Sequence, residues 1–188
     1  MATLVGISGS LREGSFNGGL LRAAAEQVSA GHRINVHSLR GIPLYDGDVE
    51  AREGIPAPVK ALKDHIAAAD GLLIVTPEYN NSMPGVLKNA IDWLSRPAAD
   101  IGRVFGGKPV AVIGASPGGF GTILAQDAWL PVLRTLGTRP WFGGRLMVSR
   151  AGALFAANGD LTDVATRDAV RKFVDGFLAF AISSSDRR

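Results

Sequence analysis

The chain has 188 residues, no cysteine and a formal net charge of +3, a length that favours one domain with a sizeable core. The lack of cysteine excludes disulfide scaffolding and thiol catalysis, and the scattered basic residues, without interleaved aromatics, argue against a nucleic-acid partner. Because no window approaches about 18 uncharged apolar residues and no signal peptide is visible, we expect no membrane partner and a cytoplasmic location.

Strand-like and helix-like segments alternate along the chain. Five apolar runs predict strands, at residues 3–8, 33–39, 71–76, 108–115 and 145–149. Apolar stripes at helical spacing predict helices, at residues 17–30, 57–69 and 170–181. This alternation predicts an α/β fold with a parallel sheet covered by helices on both faces. Five strands favour a flavodoxin-like three-layer sandwich of strand order 2-1-3-4-5 over a six-stranded dinucleotide fold. We assign residues 1–182 to this single domain and residues 183–188 to a polar, solvated C-terminal tail.

Three loops rich in Gly, Ser and Asn follow the first, third and fourth predicted strands. They are the first loop, "GSLREGSFN" at 9–17, the second loop, "PEYNNSMPG" at 77–85, and the third loop, "SPGGFGT" at 116–122. Ligands of doubly wound sheets bind beyond the carboxyl ends of the strands. Because all three loops lie at that edge, they predict one binding site.

The first loop has the chemistry of an anion site. Exposed backbone N–H groups and the positive end of a helix dipole favour an anion there, and the Arg12 guanidinium adds a charged donor. Further polar groups come from Ser8, Ser10, Ser15 and Asn17. The alternative interpretation is a helix start that is merely capped by Ser15 or Asn17. No G-x-G-x-x-G sequence follows the first strand, so a nicotinamide dinucleotide bound in the usual way is not expected.

The second and third loops have the chemistry of a site for a flat ring. The backbone between Pro77 and Pro84 offers N–H and C=O groups to a planar heterocycle, and Tyr79 offers an aromatic face. Asn80 and Ser82 are candidates to fix the orientation of the ring. The alternative is a proline-bounded loop in which Glu78 only caps or pairs. The small residues of the third loop allow a flat ligand or a partner subunit to approach closely, although a Gly-rich turn is also common.

Together, "GSLREGSFN", "PEYNNSMPGVLKNAIDWLSRP" and "GKPVAVIGASPGG" resemble the NADPH-dependent FMN reductase family, which includes bacterial quinone, chromate and azo-dye reductases. The resemblance extends from the first strand to about residue 121. It implies that the FMN phosphate and ribityl end are surrounded by Ser10, Arg12, Ser15, Phe16 and Asn17. It also implies that the isoalloxazine is lined by Pro77, Glu78, Tyr79 and Asn80, with Ser82 near it and Ser116 and Gly118 closing the ring pocket.

The resemblance implies an enzyme that transfers hydride from NADPH or NADH through bound FMN to a small-molecule acceptor in a ping-pong cycle. Quinones, free flavin, chromate and azo compounds are all candidate acceptors. Because the flavin carries the chemistry, we assign no catalytic acid or base, and the three histidines show no metal-ligand spacing. The main alternative is a non-enzymatic electron carrier similar to flavodoxin, which is acidic and lacks an arginine like Arg12. A flavin-free ligand sensor or scaffold is the third possibility.

The resemblance also implies a homo-oligomer, a dimer or a tetramer, with subunits that meet near the helices after the third and fourth strands. Five bulky apolar residues are candidate interface anchors, namely Trp93, Leu94, Trp129, Leu130 and Val132. The alternative is that they complete the core of the monomer. In the stretch "AWLPVLRTLG", Pro131 should break or kink a helix unless that helix begins close to it.

Overall fold

The computed structural model describes residues 1–185, with side chains described through Ser183. The strands are β1 (Thr3–Ser8), β2 (Arg33–His37), β3 (Gly71–Val75), β4 (Pro109–Ala115), β5 (Arg139–Pro140) and β6 (Met147–Val148). The α-helices are α1 (Phe16–Glu26), α2 (Gly47–Glu53), α3 (Ala57–Ala68), α4 (Gly85–Leu94), α5 (Ile101–Val104), α6 (Ile123–Thr135) and α7 (Val164–Ser185). Short 3₁₀ turns lie at Ala98–Asp100 and Ala151–Ala153.

The sheet is parallel, and its strand order is β2-β1-β3-β4-β5. This order confirms the predicted flavodoxin-like fold. Every residue of β3 is buried, as its continuous apolar run predicted, because helices cover both faces of this central strand. Helices α1 and α7 bury one face of the sheet, and α3, α4, α5 and α6 bury the other. Strand β2 lies at an edge and is mostly exposed.

Two short strands, β5 and β6, lie beside β4 where the sequence predicted a single strand at 145–149. We call this pair the split fifth strand. Strand β5 pairs with the beginning of β4, and β6 pairs with the end of β4, while residues 141–146 leave the sheet between them. The Trp141 indole packs on Phe173 and Phe177 of α7, with ring centroids 4.9 and 5.8 Å apart. The chain therefore bulges around this ring, and the middle of β4 lacks a register partner on that side.

Helix α6 begins eight residues before Pro131 and continues through it, so the prediction that Pro131 breaks a helix that does not begin close to it is wrong, and the predicted kink stays a prediction. Pro131 is exposed, and its missing N–H removes one bond from a helix that is held by packing. The side chains that fix the helix against the sheet include Trp129 and Leu133, both buried. Trp129 donates its indole N–H to Thr76 at 3.2 Å.

Three of the five candidate interface anchors belong to the monomer core. Trp93, Leu94 and Trp129 are fully buried within the chain, so their interpretation as interface anchors is wrong. Apolar spacing on a helix cannot by itself separate the face packed on the sheet from a face packed on a partner. Leu130 stays 40% exposed, and Val132 is partly buried against the core.

The last helix extends beyond the predicted domain boundary. Helix α7 continues to Ser185, so the first three residues assigned to the polar tail, 183–185, are helical. The rest of the predicted tail, residues 186–188, lies outside the described residues. Within the described part of the chain, no helix combines the length and the hydropathy needed to span a bilayer.

Candidate functional site

The sheet brings the three polar loops together at the carboxyl ends of β1, β3 and β4. The first and second loops touch at Gly9, whose N–H donates to Val75 at 2.9 Å. A Cβ on Gly9 would lie 2.8 Å from Pro77 Cδ and 2.9 Å from Pro84 Cγ. Only glycine permits this approach, because real Cβ atoms do not come so close to other carbon atoms.

The first loop presents a run of unbonded backbone donors. Within the described structure, no backbone N–H from Leu11 to Asn17 has a hydrogen-bond acceptor. The run ends in the first turn of α1, where the helix dipole is positive. Ser15 is the N-cap of α1 and accepts from the Gly18 N–H at 3.2 Å. The cap and the anion cradle are therefore compatible, and the two sequence interpretations of this loop are not exclusive.

The side chains of the first loop differ in exposure and in what they contact. Arg12 is exposed and forms no ion pair with any described residue, so its guanidinium is available to a ligand. Ser10 lies half-buried beside it, and its N–H donates weakly to Ser8 at 3.4 Å. The Phe16 ring packs on Phe155, with centroids 5.2 Å apart, and so faces the apolar core under the loop.

The Asn17 side chain bridges the first loop to Ala115 through both of its polar atoms. Its Nδ2 donates to the Ala115 carbonyl at 2.8 Å, and its Oδ1 accepts from the Ala115 N–H at 2.9 Å. Both bonds are buried. The group that Asn17 leaves free toward the loop is its backbone N–H.

The second loop closes on itself as a two-residue hairpin. Tyr79 and Ser82 exchange both backbone hydrogen bonds at 3.1 Å, and the two residues between them, Asn80 and Asn81, have φ values of 50° and 60°. Two consecutive positive φ angles with this bonding define a type I′ turn, for which asparagine is a favoured residue. The turn accounts for both amides. It also occupies the Tyr79 N–H, whereas the backbone N–H groups of its neighbours Glu78 and Asn80 have no acceptor among the described residues.

Glu78 connects the second loop to the helix after the third. Its Oε2 accepts from the N–H groups of Leu124 and Ala125, both at 2.9 Å, in the first turn of α6. The Tyr79 side chain is 49% exposed, and Ser82 is half-buried. Pro77 is buried under the loop, where its carbonyl accepts from the Thr76 hydroxyl at 2.9 Å.

The third loop is held at its start and left open at its centre. The Ser116 N–H donates to Val148 at 2.9 Å, and the Ser116 hydroxyl accepts from the Gly118 N–H at 3.2 Å. A Cβ on Gly119 would meet no atom within 4 Å, and Phe120 is 84% exposed. This loop therefore has room for a flat ligand beside it.

A fourth segment, residues 149–163, contributes to the site and carried no sequence signal of function. Arg150 has a φ of 51°, and its N–H donates to Gly118 of the third loop at 2.9 Å. Farther along, Gly159 lies so close to α1 that a Cβ on Gly19 would fall 1.7 Å from its carbonyl oxygen. Arg22 of α1 holds the pKa of Asp160 below its ordinary value by hydrogen bonding to it at 2.7 Å. The turn sequence "NGD" at 158–160 was the available clue.

Arg40 also lies beside the first loop, and sequence reasoning missed it. Its guanidinium donates to the Leu11 carbonyl and makes no ion pair with a described residue. The interaction orients the Leu11–Arg12 peptide, which belongs to the run of free donors. The motif around Arg40 gave no hint of this contact, because the residue follows β2 and not one of the three polar loops.

The residues present fit FMN as judged from the structure. A run of free N–H donors with Arg12 suits a dianionic phosphate, and free donors at Glu78 and Asn80 suit the polar edge of a heterocycle. The third loop is connected to both sets, through Asn17 to Ala115 just before it and through Glu78 to Leu124 just after it. The predicted site residues of the three loops are thus brought to one edge of the sheet, and the side chains of Phe16, Asn17 and Glu78 are engaged by the protein itself.

Comparison with known proteins agrees with the sequence motifs. The model of the family described as NADPH-dependent FMN reductase matches residues 2–153. An NAD(P)H-dependent FMN reductase of Pseudomonas aeruginosa is 46% identical over 169 residues, which are 90% of this chain and 89% of that protein. A 2-hydroxy-1,4-benzoquinone reductase of a Burkholderia species is 40% identical over 97% of this chain and 96% of its own length. The structure of FerB, a flavoenzyme NAD(P)H:(acceptor) oxidoreductase from Paracoccus denitrificans, superimposes with a TM-score of 0.85 at 34% identity, covering 98% of this chain and 99% of that chain. The chain therefore belongs to the NADPH-dependent FMN reductase family.

Proposed function

We propose that this protein is an FMN-dependent oxidoreductase that oxidises NAD(P)H and reduces a quinone. The observation that carries the proposal is the run of seven free backbone N–H groups from Leu11 to Asn17, placed beside the second loop at Gly9. Unpaired N–H groups at the N-terminus of a helix are donors for a phosphate, and the helix dipole favours its negative charge. Quinone is the acceptor class that we favour, because the Burkholderia relative carries it in its name.

FMN bound at this site would supply the redox chemistry, which is hydride transfer from the nicotinamide to the acceptor. The chain contributes binding and orientation. Arg12 and the first-loop N–H groups hold the phosphate, and Ser10 and Ser15 add hydroxyl groups near it. The free N–H groups of Glu78 and Asn80 orient the ring edge, with Pro77, Ser82, Ser116 and Gly118 forming its walls. No side chain is assigned as an acid or a base.

Tyr79 is the aromatic side chain at the open side of the second loop, where half of it is exposed. An aromatic face at the mouth of the site suits stacking by a nicotinamide or a quinone. We infer that the two substrates occupy this open side in turn, which gives a ping-pong cycle. Initial-rate lines at several quinone concentrations should then be parallel in double-reciprocal plots, and intersecting lines would contradict this inference.

The direct test is a titration of the flavin-free protein with FMN and with FAD. We expect one FMN per chain and weaker binding of FAD, because a terminal phosphate fits the first-loop cradle and an adenylated one does not. FAD bound with FMN rejected would overturn the proposal. The same preparation, loaded with FMN, should oxidise NADPH or NADH continuously when 1,4-benzoquinone is present.

The electron-carrier alternative predicts a different outcome of the second measurement. A carrier similar to flavodoxin binds FMN but does not sustain NAD(P)H oxidation with free quinone. The FMN titration distinguishes a flavin-free sensor or scaffold from the other two functions, because such a protein binds no FMN. The two measurements together therefore distinguish all three functions.

We also propose a homo-oligomer, with contacts on the exposed side of α6. An apolar groove of about 500 Å³ lies between α6 and the split fifth strand, and Leu130, Trp141 and Phe142 are among its lining residues. Phe142 is 72% exposed in the single chain. Asp127 and Arg145 also line the groove, and neither forms an ion pair within the described residues. Two-fold pairing would let Asp127 meet the partner subunit's Arg145.

Light scattering tests this interface. Wild type should exceed the 19.7 kDa mass of the single chain, and Asp127→Arg should shift the population toward that mass. The double variant Asp127→Arg/Arg145→Asp reverses both charges and should restore the oligomer. An unchanged mass distribution in Asp127→Arg would place the interface elsewhere.

A further inference from the structure

Two side chains fasten the third loop at its two ends, and each comes from a different polar loop. At the start, Asn17 of the first loop makes two buried hydrogen bonds to Ala115, 2.8 and 2.9 Å long. At the end, Glu78 of the second loop accepts two bonds of 2.9 Å from Leu124 and Ala125. All four bonds go to main-chain groups, so they fix the course of the backbone.

The Glu78 contact replaces a local helix cap. Ser15 caps α1 by accepting from Gly18, and Asp46 caps α2 by accepting from Asp48 and Val49. The N-cap residue of α6, Thr122, makes no such bond with its side chain. The first turn of α6 is capped instead by a carboxylate 46 and 47 positions away in sequence. A local cap would satisfy the helix equally well but would not connect it to the second loop.

We propose that Asn17 and Glu78 are positioning residues, which set the first and second loops at fixed places relative to the third and so preform the cofactor site. The proposal rests on the proposed function, because it assigns these two side chains a role in FMN binding without contact to FMN. Their engagement leaves the main-chain N–H groups of both residues free to face the cofactor. The Glu78 carboxylate also lies at the positive end of the α6 dipole, which stabilises its negative charge beside the second loop.

The Glu78 contact is testable in the flavin-free protein by amide hydrogen exchange. In wild type, the Leu124 and Ala125 amides should be protected beyond the level of an uncapped first turn. Glu78→Ala should remove this protection, whereas Glu78→Gln keeps an acceptor oxygen and should retain most of it. Equal exchange rates at these amides in wild type and Glu78→Ala would overturn the proposal, whatever the protein does with FMN.

FMN affinity then separates positioning from direct contact. Glu78→Ala should weaken FMN binding on the order of tenfold, because the second loop loses its connection to α6, and Glu78→Gln should stay within about threefold of wild type. The visible circular dichroism of the bound isoalloxazine should follow the same order, since it reports the asymmetry of the ring environment. If Glu78→Gln is as weak as Glu78→Ala while its amides stay protected, the carboxylate acts on the cofactor directly, and positioning is refuted.

Asn89 provides a matched control for Asn17. Its side chain on α4 makes a two-point bridge of the same kind in an exposed setting, donating to Pro43 at 2.9 Å and accepting from Tyr45 at 2.8 Å, neither of which belongs to the three loops. Asn17→Ala should weaken FMN binding on the order of tenfold, and Asn89→Ala should leave it unchanged. Equal FMN affinities of Asn17→Ala and wild type would overturn the role of Asn17.

The failure of the proposed function has a different signature. If wild type binds no FMN although Leu124 and Ala125 are protected by Glu78, the function is wrong and the contact is real. If wild type binds FMN and the amides exchange alike in wild type and Glu78→Ala, the function stands and the positioning role is wrong.

Discussion

The first and second loops follow neighbouring strands and meet at Gly9, yet their backbones are used in opposite ways. From Leu11 to Asn17, the first loop leaves every backbone N–H without an acceptor in the described structure. The second loop pairs Tyr79 with Ser82 across a turn of two residues that have positive φ. The backbone N–H groups of the first loop are available to a ligand, whereas those of Tyr79 and Ser82 in the second loop are used within the hairpin. The comparison suggests that phosphate affinity comes from main-chain donors, whereas ring placement comes from a rigid small hairpin.

The strongest test of this contrast is Arg12→Ala, because Arg12 adds the charged donor to a loop of neutral ones. Loss of one charge-assisted hydrogen bond should weaken FMN binding by roughly 1.5–3 kcal/mol, or about ten- to a hundredfold. Turnover of the fully loaded enzyme should change little, since the phosphate is remote from the reacting ring. Fluorescence titration gives the affinity, and quinone reduction at saturating FMN gives the turnover.

Arg33→Ala is the control for the loss of one positive charge. Arg33 is exposed at the opposite edge of the sheet, where it donates to Thr3 at 3.0 Å. The Arg33→Ala variant should bind FMN with the same affinity as wild type. Equal affinities in Arg12→Ala and wild type would show that the main-chain donors bind the phosphate without help from this side chain.

The junction between the two loops can be disturbed at Gly9. In Gly9→Ala, the new Cβ would lie within 3.0 Å of Pro77, Pro84 and Leu87, so the second loop must move. We expect a loss of about 1–3 kcal/mol in the free energy of unfolding, together with weaker FMN binding. Gly102→Ala is the matched control, because a Cβ there meets nothing within 4 Å. Chemical denaturation of both variants measures the difference, and equal stabilities would contradict the crowding at Gly9.

The sequence predicted that the three loops lie at one edge of the sheet, and it did not predict the long-range contacts that their side chains make. Strand order and the place of the three loops follow from apolar runs and from the rule for parallel sheets, so the sequence alone predicts them. The roles of Asn17 and Glu78 depend on Ala115 and on α6, which are distant in sequence. No local pattern encodes such contacts. The split of the fifth strand was missed for the same reason, because it depends on Trp141 packing against α7.

Substitutions of Asn80 test whether the side-chain amides of the second loop stabilise the turn or contact the flavin ring. Glycine adopts a positive φ without strain, so Asn80→Gly should keep both the hairpin and the FMN affinity, within about twofold. Asn80→Ala should cost about 1 kcal/mol in the free energy of unfolding, because alanine disfavours this conformation. A large loss of FMN affinity in Asn80→Gly would show that the amide itself orients the ring, as the polar residues of this loop predicted.

The smallest expected effect concerns the support behind the first loop, where Asp160 of the fourth segment meets Arg22 of α1. The pKa of Asp160 is lowered from its ordinary value of 3.8, chiefly by the hydrogen bond from Arg22, so the pair stabilises the fold above pH 3.8. This contribution is lost as the pH falls through the lowered pKa of the folded state. Both side chains are about half exposed, and the effect should be modest and weaker at high salt. The melting temperature of wild type should therefore exceed that of Asp160→Asn at pH 7, and the two melting temperatures should converge as the solution is acidified below pH 3.8. If the difference in melting temperature persists undiminished in acid, packing of the 158–160 turn on Gly19, and not the charge of Asp160, supports the first loop.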